Sequence, residues 1–339
     1  MNRIWLLLAP AALLTSGLLT YLMRRFALAH GILDLPNARS SHTTATPRGG
    51  GLAIVATTTL ALLVLAVLGI VPLNLCMALL VGGVAVAAVG FLDDRRRLAP
   101  RWRLAVHTFA AMWAVAWVGG LDAVQVGQSV VHLGWVGKAL AVLGVVWVVN
   151  LFNFMDGIDG LAAGEALFVA CAGALLAAGA GSSGVAAAAW VFAWACAGFL
   201  VWNWPPARIF LGDVGSGYLG YVVIVLALAE STTRPTAIWE WFILGSLFFV
   251  DSTLTLLRRL FRGERVYEAH RQHAYQRLSR RWGSHLRVTC LVLGIGAAWL
   301  LPLSLLAARW PPFALNAVLA AALPVLLGCV LLGAGRRRD

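Results

Sequence analysis

The chain is organised as a series of long apolar stretches separated by shorter polar segments. The hydrocarbon core of a bilayer needs about 20 apolar residues per helix, and eleven stretches approach that length. They lie at roughly residues 4–23, 52–71, 76–92, 104–120, 135–152, 161–180, 185–202, 214–229, 238–257, 287–306 and 313–332. The pattern predicts an all-α polytopic membrane protein with about eleven transmembrane helices.

Composition supports this interpretation. Of the 339 residues, 61% are apolar and only 12% are charged, about half the charge density of a soluble globular domain. Polar surface is too scarce to cover a soluble fold of this size, which excludes an ordinary cytosolic enzyme, a disordered chain and a fibrous repeat. We therefore predict a single integral membrane domain over residues 1–339.

The basic residues predict an orientation. The net charge is +12, and 22 of the 26 basic residues lie on one side of the predicted spans, 21 in loops and a tail and Arg287 at the edge of a span. The longest of these loops, 258–286, holds eight arginines. Because cytoplasmic loops are rich in Lys and Arg, we predict an N-out/C-in membrane protein. The positive charge then marks topology, and no nucleic-acid partner is predicted.

Acidic residues concentrate on the same side. Five of the 14 lie at predicted cytoplasmic ends of spans, namely Asp93, Asp94, Asp156, Asp159 and Asp213. A carboxylate near hydrocarbon is costly unless it faces a cavity, a cation or a partner. Since three distant parts of the chain supply these acids, the sequence predicts one shared cytoplasmic site.

The first two acidic segments suit a magnesium–nucleotide site. Asp93 and Asp94, followed by three arginines, could bind magnesium and diphosphate, or form a solvated loop with local ion pairs. In the second segment polar residues recur at every third position, at Asn150, Asn153, Asp156 and Asp159. Oxygen donors near one face of a helix end suit magnesium and nucleotide groups; the alternative is a helix cap with polar turn residues.

The third segment, residues 203–217, combines a Pro-Pro pair with Arg208, Phe210 and Asp213. Its glycines could bring backbone amides close to an anion while Asp213 holds a cation, or could simply let the chain re-enter the membrane. Loop 258–286 adds Arg271 and His273. Such residues bind phosphate, although a basic helix on anionic lipid would explain them as well.

These segments together resemble the polyprenyl-phosphate N-acetylhexosamine-1-phosphate transferases, glycosyltransferase family 4. The signatures occur in family order over about residues 35–287, as Pro47-Arg48-Gly49-Gly50, Asp93-Asp94, Asn150 to Gly160, and Asn203 to Gly217. The resemblance implies a cytoplasm-facing cleft in which undecaprenyl phosphate attacks the β-phosphate of a UDP-N-acetylhexosamine, releasing UMP. It also implies a bacterial inner-membrane protein and Mg²⁺ as cofactor, with Mn²⁺ as an alternative, and leaves a homodimer open.

The resemblance also implies roles for individual residues. Metal binding is expected at Asn153 and Asp213 and catalytic roles at Asp93, Asp94, Asp156 and His273. Contacts with substrate are expected at Arg48, Asn150, Asp159, Asn203, Phe210 and Arg271, with Phe210 stacking on uracil. Because a phosphate is largely ionised near pH 7, we expect the paired aspartates to position groups and compensate charge instead of acting as an obligatory base.

Two departures from the family pattern concern the donor. The aspartate-rich motif often reads D-D-x-x-D, but Arg97 occupies its fifth position. In the late histidine motif His273 is retained while Tyr275 and Gln276 fill neighbouring positions. This form resembles the O-antigen-initiating branch, whose donors include UDP-N-acetylglucosamine and 6-deoxy-N-acetylhexosamines such as N-acetylfucosamine.

Other classes of protein remain as alternatives. A polytopic secondary transporter would explain spans and membrane carboxylates, but transporter sites lie near the bilayer midplane, whereas these acids lie at one face. A CDP-alcohol phosphotransferase requires a longer D-G-x-x-A-R…D-x-x-x-D pattern that is absent here. A structural scaffold would leave the acidic clusters without a purpose.

Overall fold

The computed structural model describes residues 4–35, 44–96, 98–264 and 270–336. Arg97, the predicted departure in the aspartate-rich motif, lies outside these ranges, as do residues 265–269 of the late motif. The described chain is almost entirely helical, with two short antiparallel strand pairs. One pair joins β1 (Leu33–Asp34) to β2 (Thr46–Pro47), and the other joins β3 (Ala123–Val126) to β4 (Ser129–His132).

The first eight helices run from the start of the described chain to its middle. They are α1 (Leu8–Ala29), α2 (Gly51–Val67), α3 (Leu73–Met77), α4 (Gly83–Arg96), α5 (Pro100–Val118), α6 (Gly134–Met155), α7 (Leu161–Gly179) and α8 (Ser183–Asn203). A π-helical segment, Ala78–Gly82, joins α3 to α4, so that Leu73–Arg96 forms one continuous helix. Pro100 begins α5, where its missing N–H would have no partner in any case.

Seven helices follow. They are α9 (Asp213–Ser231), α10 (Ala237–Leu244), α11 (Ser246–Leu260), α12 (Ala274–Trp282), α13 (His285–Ile295), α14 (Leu301–Arg309) and α15 (Ala314–Leu331). The π-helical segment Gly296–Leu300 joins α13 to α14 in one helix, His285–Arg309. Helices α10 and α11 meet at an angle of 75°, so the single span predicted over residues 238–257 is a bent pair.

Seven helices of the described residues are long and apolar enough to cross a membrane, or eight if the bent pair α10–α11 counts as one span. The all-α polytopic prediction is confirmed. Each of the eleven predicted stretches overlaps a helix, but α1, α2 and α5 are not among the seven. The count of eleven spans and the N-out/C-in orientation therefore stay predictions.

Helix α9 lies at the centre of the bundle, and 16 of its 19 residues are buried. It packs most extensively against α4 and α6. Glycines permit close approach at its first turn: a Cβ on Gly90 of α4 would lie 2.3 Å from the Asp213 carbonyl oxygen, and one on Gly51 of α2 would lie 2.3 Å from Gly215 Cα. Small residues thus bring the ends of α2, α4 and α9 together where the predicted site lies.

Candidate active site

Side chains from four parts of the chain meet at the first residue of α9. Asp94 comes from the end of α4, Asn153 from the end of α6, Arg48 from the segment after β2, and Asp213 from α9 itself. The sequence placed these residues on one predicted membrane face, and the structure brings them within hydrogen-bonding distance of each other.

Asp94 caps the N-terminus of α9. Its Oδ1 accepts a hydrogen bond from the Asp213 N–H at 3.0 Å, and its Oδ2 accepts one from the Val214 N–H at 3.1 Å. The first N–H groups of a helix lack partners within the helix and favour a negative charge. The same carboxylate pairs with Arg48, with 2.7 Å between Asp94 Oδ1 and Arg48 Nη2. Only 9% of the Asp94 side chain is exposed. Both of its oxygens are engaged, so the carboxylate holds Arg48 and the start of α9 in place.

Asp213 is the more accessible carboxylate, with 24% of its side chain exposed. Its Oδ1 accepts hydrogen bonds from Arg48 Nη2 and Asn153 Nδ2, each at 3.1 Å. Asn153 Nδ2 also donates to Ser216 Oγ, one turn further along α9, at 2.9 Å. The two residues predicted to bind metal, Asn153 and Asp213, are therefore direct neighbours.

Asp93 points to a different partner from Asp94. Its Oδ2 lies 2.7 Å from Arg103 Nη1, and its Oδ1 accepts from the Leu98 N–H at 2.6 Å. Arg103 Nη1 also lies 3.9 Å from Asp213 Oδ2, which links the Asp93 pair to the cluster. Sequence reasoning missed Arg103, since it counted this residue only as part of the positive cytoplasmic charge. Its position one turn into α5, opposite the paired aspartates, is the signal that could have identified it.

Arg48 and Phe210 are held side by side by backbone contacts. The two residues form an isolated parallel bridge. The Phe210 N–H donates to the Pro47 carbonyl at 2.8 Å, and the Gly50 N–H donates to the Phe210 carbonyl at 2.9 Å. Gly49, between Arg48 and Gly50 in the sequence, has φ +96°, a conformation that favours glycine. The predicted donor-binding residues Arg48 and Phe210 thus share one rim of the site.

Asp156 follows the last residue of α6 and adds a carboxyl group to the same site. Burial raises the pKa of the Asp156 carboxyl well above its usual value, and the nearby charges of Asp213 and Asp94 raise it further, whereas Arg48 opposes them. Among the described residues of this site, four carboxyl groups lie near the two guanidinium groups of Arg48 and Arg103. Repulsion among carboxylates favours their neutral forms, and a bound cation would offset that repulsion.

The donor set fits Mg²⁺ better than a metal held by protein alone. No group of three or more His, Cys, Asp or Glu side chains among the described residues is arranged to hold a metal ion. Mg²⁺ commonly uses one or two carboxylates and completes its octahedral shell with water and substrate phosphates. Asp213 offers one such carboxylate, and the amide group of Asn153 lies beside it, with Nδ2 donating to Asp213 Oδ1.

Two residues predicted to bind substrate, Asn203 and Asp159, connect loops through their side chains. Asn203 is 5% exposed; its Oδ1 accepts from the Gly160 N–H at 3.0 Å and its Nδ2 donates to the Ile209 carbonyl at 2.9 Å. Asp159 Oδ2 accepts from the Ala207 N–H at 3.1 Å and lies 3.2 Å from His285 Nδ1. Both side chains join the turn after α6 to the loop before α9, so their direct contact with substrate stays a prediction.

Asn150 lies one turn before Asn153 and is partly engaged within the bundle. Its Nδ2 donates to the Val146 carbonyl at 2.7 Å and lies 3.5 Å from His107 Nδ1. The three-residue spacing places Asn150 one turn before Asn153 on α6, and its amide faces His107 of α5. A contact between Asn150 and substrate remains a prediction.

His273 and Arg271 belong to the segment that leads into α12. His273 is 1% exposed, and its ring stacks on that of Phe154 with 6.4 Å between centroids. Phe154 lies between Asn153 and Asp156, so His273 adjoins the predicted nucleotide-binding turn. Arg271 is half-buried, and its carbonyl accepts from Arg280 Nη2 at 2.9 Å. Their roles toward substrate stay predictions.

Asp251 of α11 anchors this segment and was absent from the predicted site. Its Oδ1 accepts from the Ala274 N–H at 2.8 Å, and its Oδ2 accepts from the Tyr275 N–H at 3.1 Å. Asp251 thereby caps α12 from a membrane helix. An isolated aspartate inside the predicted span 238–257 was the available signal, because such a residue needs a partner.

Comparison with known proteins gives concordant results. The sequence profile of glycosyl transferase family 4 matches residues 75–231. The chain is 31% identical over 287 residues to a probable undecaprenyl-phosphate N-acetylglucosaminyl 1-phosphate transferase of Bacillus subtilis, covering 83% of this chain and 79% of the relative. It is 30% identical over 323 residues to a decaprenyl-phosphate N-acetylglucosaminephosphotransferase of Mycobacterium tuberculosis, covering 82% and 78%.

A third relative carries a different sugar in its name. The chain is 34% identical over 240 residues to a phospho-N-acetylmuramoyl-pentapeptide-transferase of Moorella thermoacetica, covering 64% of this chain and 73% of the relative. The profile match spans the helices that carry Asp93, Asp94, Asn153 and Asp213. These four residues therefore lie in the part of the chain that the profile describes, whereas Arg48 of the same cluster precedes it.

Proposed function

The chain belongs to glycosyl transferase family 4, the polyprenyl-phosphate N-acetylhexosamine-1-phosphate transferases, and from this premise we propose that it transfers an N-acetylhexosamine-1-phosphate from a UDP-sugar to undecaprenyl phosphate. The products are undecaprenyl-diphospho-sugar and UMP. The observation that carries the proposal is the convergence of Asp94, Asp213, Asn153 and Arg48 at the start of α9. A transporter would move a solute without releasing UMP.

The reaction joins two phosphate groups. An oxygen of the acceptor phosphate bonds to the β-phosphorus of the UDP-sugar, the bond from that phosphorus to the oxygen bridging to the α-phosphate breaks, and its electron pair leaves with UMP. Alignment and charge compensation dominate such transfers. No side chain has to remove a proton from the acceptor, because its phosphate is ionised near neutral pH.

Residues of the site supply alignment and charge. Arg48 has 33% of its side chain exposed, and Asp94 and Asp213 hold its guanidinium in place for phosphate oxygens. Guanidinium groups bind phosphate in a two-pronged geometry. Phe210 on the same rim offers a ring face for uracil. Together they would hold the UDP moiety so that the β-phosphorus faces the acceptor.

Mg²⁺, with Mn²⁺ as the alternative, would be held by Asp213 and Asn153 together with substrate phosphates. When bound, the cation neutralises charge on the diphosphate. The excess of carboxylates over guanidinium groups at the site supports this assignment. Asp156 and His273 are proposed to act on the UDP-sugar. His273 stacks on Phe154, which precedes Asp156 by two residues.

The sugar and the location are the finer parts of the proposal. We infer N-acetylglucosamine or a 6-deoxy-N-acetylhexosamine such as N-acetylfucosamine, used to initiate O-antigen or a related envelope glycan. The names of the B. subtilis and M. tuberculosis relatives support the first sugar, and the O-antigen-like form of the motif around His273 supports the second. The positive-inside pattern supports an inner-membrane protein whose site faces the cytoplasm.

The direct test is product formation. Purified protein with Mg²⁺, undecaprenyl phosphate and a panel of UDP-N-acetyl sugars is expected to release UMP with at least one donor, measured by chromatography. Reactions without undecaprenyl phosphate are the control, and they should release none. The absence of UMP with every donor in the panel would contradict the proposal.

A further inference from the structure

The turn that follows α15, residues 332–336, folds back onto the segment that carries His273. Ala334 is completely buried and packs in one apolar cluster with Ala274 and Cys329. Gly333 and Gly335 on either side have φ +74° and +71°, conformations that favour glycine. The turn therefore adopts a shape that other residues would resist, and its centre is inserted between helices.

Among the described residues, three hydrogen bonds join the turn to Gln272, α11 and α12. The Gly335 N–H donates to the Gln272 carbonyl at 2.7 Å. Arg258 Nη1 of α11 donates to the Ala334 carbonyl at 2.7 Å, and Arg277 Nη2 of α12 donates to the Arg336 carbonyl. Hydrogen bonds from charged donors contribute more than neutral ones. Two of these partners, Gln272 and Arg277, belong to the segment 270–277, which includes His273.

The opposite side of the same segment is fixed to the site. Asp251 accepts from the backbone N–H groups of Ala274 and Tyr275, and the Tyr275 hydroxyl donates to the Phe154 carbonyl at 2.9 Å. A Cβ on Gly157 would lie only 2.2 Å from the Tyr275 hydroxyl oxygen. His273 thus lies on a segment clamped between the turn after α15 and the turn that bears Asp156.

We propose that the turn 332–336 is a positioning element that holds His273 against Phe154 for donor binding. The turn touches no substrate; it acts through the Gln272 carbonyl and Arg277. Without it, these groups lose partners and segment 270–277 gains conformational freedom that donor binding must remove again. The role of His273 toward the donor rests on the proposed function, whereas the clamp itself does not.

The first experiment measures the clamp without using activity. In Gly335→Ala the added Cβ would lie 3.0 Å from both the Thr255 carbonyl oxygen and Arg258 Cβ, which displaces the turn. Gly181→Ala is the matched control, because Gly181 has φ +81° with no atom within 4 Å of the added Cβ. Hydrogen exchange of the peptide covering 270–277 is expected to be about ten-fold faster in Gly335→Ala than in the control or the unmodified chain.

The second experiment connects the clamp to His273. Arg258→Gln removes the bond to the Ala334 carbonyl, and Arg281→Gln removes a charge from the exposed end of α12 as its control. Arg258→Gln is expected to raise KM for the UDP-sugar about ten-fold with a smaller change in kcat, while Arg281→Gln leaves both near their starting values. In a His273→Asn background the further effect of Arg258→Gln should largely disappear, because both changes remove one interaction.

The outcomes separate the two proposals. Unchanged exchange in Gly335→Ala would overturn the clamp whether or not the chain releases UMP. An effect of Arg258→Gln that is fully retained in the His273→Asn background would also overturn it, since the turn would then act on stability alone. If the unmodified chain released no UMP, the proposed function would fail, and the exchange measurement would still decide the clamp.

Discussion

Asp213 and Asp94 contribute differently to the site although both contact Arg48. Asp213 is exposed enough to meet a cation and shares its Oδ1 with Arg48 and Asn153. Asp94 is nearly enclosed and uses both oxygens on the first N–H groups of α9. We therefore assign Asp213 to ligand binding and Asp94 to holding α9 and Arg48 in register.

Substitution of either aspartate is expected to abolish turnover by different routes. Asp213→Asn removes the charge proposed to bind the cation, so UMP release should fall by at least about 100-fold and require more Mg²⁺. Asp94→Asn should lower turnover comparably and also lower the melting temperature, because the helix cap weakens by about 1 kcal/mol. UMP release and thermal unfolding in detergent measure both effects.

Asp122→Asn provides the control, since Asp122 is an exposed carboxylate outside the site. It is expected to retain activity. Near-normal turnover in Asp213→Asn or Asp94→Asn would remove the role assigned to that residue. An unchanged Mg²⁺ requirement in Asp213→Asn would separate Asp213 from the cation.

Helices α4 and α9 determine the spacing of the site because they approach at a glycine. Gly90 lies one turn before Asp94, and its position against the Asp213 backbone leaves no room for a side chain. Asp94 reaches the N–H groups of α9 only at this distance. The apolar pattern predicted both helices, but it carried no information on how closely they would pack.

Gly90→Ala is expected to inactivate the enzyme and destabilise the fold. The new Cβ would meet the Asp213 carbonyl oxygen at 2.3 Å, which is backbone and cannot rotate away, so α4 must shift and the Asp94 cap must lengthen. Gly294→Ala in α13 is the control, because no atom lies within 4 Å of its added Cβ. It should be neutral or slightly stabilising, by up to about 1 kcal/mol.

Thermal unfolding and UMP release distinguish these two glycine variants. Equal melting temperatures and equal turnover in Gly90→Ala and Gly294→Ala would show that the close approach of α4 and α9 does not matter for the site. The expected result is that Gly90→Ala loses activity and melts at a lower temperature, whereas Gly294→Ala does neither.

Across the whole molecule, helix α6 separates the site from the β3–β4 hairpin. Asn153 and Asp156 lie at the end of α6, whereas the hairpin precedes its first residue, Gly134. A helix of 22 residues is about 33 Å long, close to the thickness of the hydrocarbon core. The site and the hairpin are therefore expected on opposite faces of the membrane.

Cysteine labelling tests this arrangement together with the predicted orientation. In a Cys290→Ser background, Arg281→Cys on α12 should react with a membrane-impermeant maleimide only in inside-out vesicles. Gln128→Cys, in the turn between β3 and β4, should react only from the outside, in cells whose outer membrane is permeabilised and whose inner membrane is intact. Labelling of both positions from one side would contradict the predicted topology, and reversed labelling would place the site outside.

The sequence by itself determined the class of protein and predicted the chemistry of its site. Apolar runs of span length require a bilayer whatever their packing, and scarce aspartates in a basic, apolar chain are costly unless they bind something. Arg48, Asp94, Asn153 and Asp213 were all named from these patterns and the family resemblance. Each depends on local composition and motif order, which a linear chain carries.

Only the tertiary structure decided which of those residues face each other. The paired aspartates look equivalent in sequence, yet Asp93 turns to Arg103 and Asp94 to α9. Asn203 and Asp159 join loops, and Asp251 anchors α12 from a distant helix. Such pairings depend on how each helix is rotated about its axis and on how closely helices approach at glycines. The hydrophobic pattern defines neither quantity, because nearly every face of these helices is apolar.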